Sequence, residues 1–156
     1  MSNNLVIFGP AHAGKSTLAG YLRVRLDSSF NFNKHVDSIK DEKWFTDDKA
    51  LSSIVDTAKK ERELRDTSSK LGTSRFIHSY GIENQNNSNK IYSNLTIIDT
   101  PGAQHKYKER IKGMYFGEIG VFVIEAKKVL NTTIDNIHEY YSPLMLWKKL
   151  EGKHRL

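Results

Sequence analysis

Three short apolar runs punctuate an otherwise polar chain: LVIF (Leu5–Phe8), LTII (Leu95–Ile98) and IGVFVIEA (Ile119–Ala126). Runs that are continuous rather than alternating predict strands buried on both faces, as in parallel sheets. Between them the period changes. After Lys15, apolar residues recur at Leu18, Leu22 and Leu26 with Tyr21 beside them, which is the spacing of one helix face. Lys15 to about Leu26 therefore reads as the first helix. YKERIKGMYFGE (107–118) predicts a helix with a basic face, and TTIDNIHEYYSPLMLWKKLEG (132–152) closes the chain as helix. Within that last segment two readings stay open. Ser142 and Pro143 restart the helix as N-cap and first residue, or Pro143 kinks one continuous helix; Gly152 suits its end.

SRFIHSYGI (74–82) and NKIYSNLTIIDT (89–100) read as two strands, and the turn-rich ENQNNSN between them predicts an antiparallel hairpin. Residues 28–73 are polar and mixed, with helical pieces and a run of charge. The segment is too long for a tight connection, and such segments are usually functional or mobile. The order is strand, helix, long loop, hairpin, helix, strand, helix. It predicts an α/β three-layer fold, a mostly parallel sheet with an antiparallel hairpin strand, whose strand-to-helix loops lie at the carboxyl ends of the strands where ligands bind.

The loop after the first strand carries the clearest chemistry. GPAHAGKST (9–17) has the pattern G-x-x-x-x-G-K-[ST], and it follows a strand and opens a helix, the context a phosphate-binding loop requires. Gly9 and Gly14 let the backbone fold around a phosphate, and the amides of Ala13, Gly14, Lys15 and Ser16 point at it, backed by the helix N-terminus. Lys15 reaches the β- and γ-phosphates, Ser16 offers a hydroxyl to Mg²⁺, and Thr17 completes the motif. DTPG (Asp99–Gly102) stands after the second apolar run, where such a fold needs a carboxylate. Asp99 is read as a Mg²⁺ ligand, through water, and the Gly102 amide as a γ-phosphate contact. Together these loops predict a P-loop NTPase.

GPAHAGKST followed much later by DTPG resembles the GTP-binding domain of the translational GTPases, the family of elongation factor Tu and SelB. The likeness runs along the whole chain. KERELRDT (Lys60–Thr67) is similar to that family's E-E-R-E-R-G-I-T segment, and this places Thr67 on the switch threonine that closes over Mg²⁺ and the γ-phosphate. The resemblance implies a G-domain fold over residues 1–156, a single domain incomplete relative to the family, with GTP or GDP and Mg²⁺ as ligands. It implies a cytoplasmic translation factor that meets the ribosome or tRNA.

Several positions depart from the family. Its phosphate loop reads G-H-V-D-x-G-K-[ST]-T, so Pro10 replaces the His and His12 replaces the Asp. A carboxylate near the phosphates is lost, although His12 could donate to a phosphate. The family's DTPG is followed by a His that positions the attacking water. Here that place is Ala103, which can neither orient nor polarise water, and only Gln104 and His105 stand nearby as substitutes. The guanine-reading N-K-x-D motif does not occur, and the chain ends where its strand is expected to begin. These departures imply nucleotide binding with slow hydrolysis and poor base preference. They also leave the last strand as an exposed edge, so a homodimer or a partner chain is expected to cover it.

Composition adjusts this picture only slightly. The 156 residues suit one domain with a sizeable core. There is no cysteine, which excludes disulfides, thiolate metal sites and a cysteine nucleophile and fits a reducing cytoplasm. No apolar run is long enough to cross a membrane, and the N-terminus lacks the features of a signal peptide. A net charge of +6 suits RNA or other acidic partners, or is a merely basic surface. Two alternatives stay open: a non-catalytic GTPase-like interaction module associated with translation or RNA, and a small-molecule P-loop kinase. The kinase reading lacks an arginine-rich lid.

Overall fold

A computed structural model describes residues 2–27, 29–56, 74–83, 90–130 and 137–151. Its centre is a four-stranded sheet in the order β2-β3-β1-β4. The strands are β1 (Ser2–Phe8), β2 (Ser74–Glu83), β3 (Lys90–Asp99) and β4 (Ile119–Phe122). β1 runs parallel to both neighbours, from Ser2↔Asn94 to Ile7↔Asp99 on one side and from Leu5↔Ile119 to Phe8↔Phe122 on the other. β2 pairs antiparallel with β3, Ser74 opposite Asp99 and Glu83 opposite Lys90, as expected of the two strands; the turn at 84–89 lies outside the described residues.

Helices cover both faces. They are α1 (Lys15–Leu26), α2 (Phe32–Ile39), α3 (Tyr107–Tyr115), α4 (Ala126–Leu130) and α5 (Ile137–Glu151). The alternation along each strand divides the core in two. Val6, Phe8 and Ile98 face Met114 of α3 and Leu150 of α5, with Phe122, Leu144, Leu146 and Trp147 packed around them. Phe8 stacks on Trp147 with ring centroids 5.4 Å apart and tilts against Phe122 at 5.5 Å. Ile7 and Ile97 face the other way, against Ala19 of α1 and Val55, with Leu18 and Leu22 alongside. This is the three-layer arrangement that buried, non-alternating strands require.

Two local expectations change and two are filled in. β4 stops at Phe122 instead of continuing to Ala126, because its partner β1 ends at Phe8; one last bond runs from Val123 N to Phe8 O, and α4 begins at Ala126. In α1, Leu26 and Tyr21 lie outside the core, 43% and 47% exposed, whereas Lys15, Ala19 and Gly20 are buried. A side chain at position 20 would meet the Leu51 carbonyl oxygen at 1.9 Å, so close packing rather than leucine spacing sets the buried face. The polar segment after α1 is structured over residues 29–56. Asn31 caps α2 by accepting from Lys34 N at 2.9 Å, and 3₁₀ turns at Asp47–Lys49 and Ser52–Ile54 follow. It buries Ile39, Trp44, Ala50, Ile54 and Val55, an irregular series without helix or strand period. Of the two readings left open for the last segment, the structure has the single helix: α5 runs through Pro143, which is buried inside it.

Candidate functional site

β1 ends against the loop it feeds. Gly9 adopts φ 149°, and a Cβ there would lie 2.1 Å from the Val123 carbonyl oxygen. Glycine is therefore required both by conformation and by the approach of the chain leaving β4. His12 at φ 60° and Gly14 at φ 90° complete the turn, and Gly14 is the left-handed N-cap of α1. No side chain caps this helix and no acidic residue stands in its first turn. The first-turn amides of a helix have no intrahelical acceptor, so the end of α1 is suited to an anion.

Lys15 is 5% exposed, and its Nζ donates to the Pro10 carbonyl at 2.6 Å, which folds the lysine back over its own loop. Ser16 Oγ donates to Asp99 Oδ2 at 2.6 Å, joining α1 to the end of β3. Asp99 is fully buried. The next residue, Thr100, ties the turn to β1, donating to Ile7 O from both its amide (3.1 Å) and its hydroxyl (3.0 Å). Gly102 then comes so close to the phosphate-type loop that a Cβ would lie 2.5 Å from Lys15 Nζ and 2.6 Å from Ala11 N and Cα.

The cleft so formed is lined by Ala11, His12, Gly14, Lys15, Ser16, Thr17 and Gly102, and by Asp48, Lys49, Ser52 and Asp56 from the far wall. The residues singled out in the two sequence motifs are thus brought together, with Gly9 and Ala13 shaping the loop. Gln104 and His105 are exposed in a 3₁₀ turn before α3 and do not line the cleft. Thr67 lies outside the described residues. The far wall was missed by motif reasoning, yet one signal existed: IVD at 54–56 repeats the apolar-apolar-Asp pattern of IID at 97–99. Lys49 is fixed there by donating to the Trp44 carbonyl at 2.7 Å.

Arg110 of α3 was also missed. Its Nε donates to Pro101 O at 3.1 Å, and Nη2 donates to Gly102 O at 2.5 Å and Ala103 O at 3.1 Å. Burial lowers its pKa from the usual arginine value, with the Tyr107 phenol acting in the opposite direction.

A hydroxyl beside a carboxylate is the hard-oxygen donor set that Mg²⁺ takes, and Mg²⁺ commonly adds water and substrate phosphate to one or two carboxylates. Among the described residues no group of three or more His, Cys, Asp or Glu is placed to hold a metal, so a cation at Ser16 and Asp99 would depend on phosphate and water. Among the same residues no helix is long and apolar enough to cross a membrane.

A search of curated proteins gave no match. Among solved structures, the protein ttk003000868 from Thermus thermophilus superposes with a TM-score of 0.56 at 10% identity, covering 96% of this chain and 18% of that one. The S. cerevisiae Ski7 GTPase-like domain bound to GDP and inorganic phosphate gives 0.47 at 26% identity, over 80% of this chain and 26% of that one. The same domain bound to GTP gives 0.48 at 26% identity, over 80% and 25%. The chain thus spans about a quarter or less of the structures it matches. The model of the family described as elongation factor Tu GTP binding domain matches residues 2–141. With its P-loop α/β fold, the chain belongs to this family of translational GTPase-type domains.

Proposed function

We propose that this domain binds GTP and GDP with Mg²⁺ and hydrolyses GTP slowly. The observation that carries the reading is the convergence of Lys15, Ser16 and Gly102 on one cleft at the N-terminus of α1, with Asp99 buried behind Ser16 and bonded to it. Lys15 would exchange the Pro10 carbonyl for phosphate oxygens. The amides from Ala13 to Ser16 would take the β-phosphate and the Gly102 amide the γ-phosphate. Ser16 and Asp99, with Thr67 as the further candidate, would hold Mg²⁺, which when bound neutralises phosphate charge. Charge stabilisation supplies most of phosphoryl-transfer catalysis, and these groups supply it. What Ala103 does not supply is a group to orient water, and Gln104 and His105 stand away from the cleft. Slow hydrolysis follows.

A second reading keeps the fold without the turnover: an interaction module contacting translation machinery or RNA. Ala103 favours it. Titration with GTP, GDP and ATP in Mg²⁺ separates the two. We expect GTP and GDP to bind, and the ATP arm measures the base preference. A wild-type chain that binds none of the three supports the interaction module.

The basic surface suits a cytoplasmic encounter with the ribosome or tRNA. Among the described residues β4 pairs on one side only, with β1, and Ile119 is half exposed. A second copy or a partner chain would cover that edge. Sedimentation of a monodisperse monomer, with fast amide exchange in residues 120–122, would contradict it.

A further inference from the structure

Arg110 is 4% exposed and carries a charge that the sequence motifs do not use. Among the described residues its hydrogen bonds go to consecutive main-chain carbonyls, those of Pro101, Gly102 and Ala103. No ion pair with a carboxylate is found for it among the described residues. A buried guanidinium bonded to carbonyls keeps its charge, because neutral acceptors satisfy its donors without cancelling it. The rigid fork suits this role, since one planar group reaches three acceptors that an ammonium could not span.

The segment it holds is the one that presses on the cleft. Gly102 lies between two cations. On one side its carbonyl accepts from Arg110, and on the other its α-carbon faces Lys15 Nζ and the Ala11 backbone at a distance that excludes a Cβ. Thr100 anchors the front of the same segment to β1. The turn is thus fastened at both ends, by Thr100 to the sheet and by Arg110 to α3.

We infer that Arg110 is a positioning residue that fixes the Gly102 peptide for the terminal phosphate, and so sets the preference for nucleoside triphosphate over diphosphate. The inference rests on the nucleotide reading above. A group that positions only the γ-phosphate contact changes triphosphate binding and leaves diphosphate binding alone, which a merely structural arginine would not do.

The test compares affinities for GDP and a non-hydrolysable GTP analogue, both with Mg²⁺, in wild type, Arg110→Met and Arg110→Lys, with thermal unfolding of each. In Arg110→Met the analogue should weaken about tenfold and GDP by less than about threefold. Arg110→Lys should resemble Arg110→Met, because it keeps the charge but loses the fork. An unchanged ratio in both variants overturns the inference, as does full rescue by lysine, which would assign the effect to charge alone. Wild type that binds neither ligand overturns the function reading instead, a result distinct from an unchanged ratio. If neither variant folds, the wild-type Arg110 Nε–H resonance decides. A proton protected from exchange and shifted when the analogue, but not GDP, is added supports the inference; a freely exchanging or unresponsive one overturns it.

Discussion

Ser16 Oγ and Asp99 Oδ2 lie 2.6 Å apart although 83 positions separate them in the chain. The bond closes the phosphate-type loop onto the end of β3, so the first turn of α1 and the carboxyl end of the sheet are one unit. A hydrogen bond to a charged acceptor contributes about 1.5–3 kcal/mol. Ser16→Ala should lower stability by that amount in chemical denaturation and should weaken the Mg²⁺ dependence of nucleotide binding. Unchanged stability with unchanged Mg²⁺ dependence would show that the pair joins nothing.

The glycines of the loop separate two causes of intolerance. Gly9 and Gly14 both have positive φ, but a Cβ at Gly9 strikes the Val123 carbonyl whereas one at Gly14 meets nothing within 4 Å. Gly14→Ala carries only the conformational penalty, about 1 kcal/mol. Gly9→Ala adds a backbone clash with an immovable strand end and should destabilise by about 3 kcal/mol or more. Urea unfolding of the two variants checks the difference; equal values would mean that the β4 exit yields.

Gly102→Ala tests the other wall of the cleft. Lys15 Nζ can move away from a new methyl, but the Ala11 backbone 2.6 Å away cannot without distorting the loop. Nucleotide affinity should fall at least about tenfold while stability changes by only about 1–2 kcal/mol. A variant that binds as tightly as wild type would place the phosphates elsewhere.

Ala103→His restores a side chain able to orient water. Since positioned acid–base groups contribute about 10²–10⁴-fold, single-turnover hydrolysis should rise at least tenfold if water positioning is the main defect. Arg110 already bonds the carbonyl of this residue, so its backbone is held in place for the new ring. No rise would move the defect to another part of the site, His12 being the first candidate because it stands where the family has a carboxylate.

The parts legible in the sequence are those in which one residue type is forced by local chemistry. Gly9, Gly14, Lys15 and Ser16 are read from one loop because a backbone cradle needs glycine and a phosphate needs a cation. Asp99 is read from the apolar strand that buries it. The hairpin is read from its turn composition. What was hidden depends on contacts distant in sequence. Arg110 resembles any lysine or arginine of a basic helix face until α3 is seen to lay it under the Pro101–Ala103 carbonyls. Asp48, Lys49 and Ser52 look like solvated loop residues until the turns at 47–54 fold over α1. β4 ends early because β1 must leave the sheet at Gly9, a limit that the apolar run Ile119–Ala126 does not contain.

On the proposed function, the cleft lined by Lys15 and Ser16, with Asp99 buried behind Ser16, takes the phosphates of a nucleotide. Calorimetric titration of the wild-type chain and of Lys15→Ala with GDP and Mg²⁺ tests it most directly. Wild type should show saturable one-to-one binding, weakened at least about tenfold by Lys15→Ala, the order expected for loss of a charge-assisted phosphate contact. Binding that is absent in wild type, or equally tight in both proteins, would contradict it.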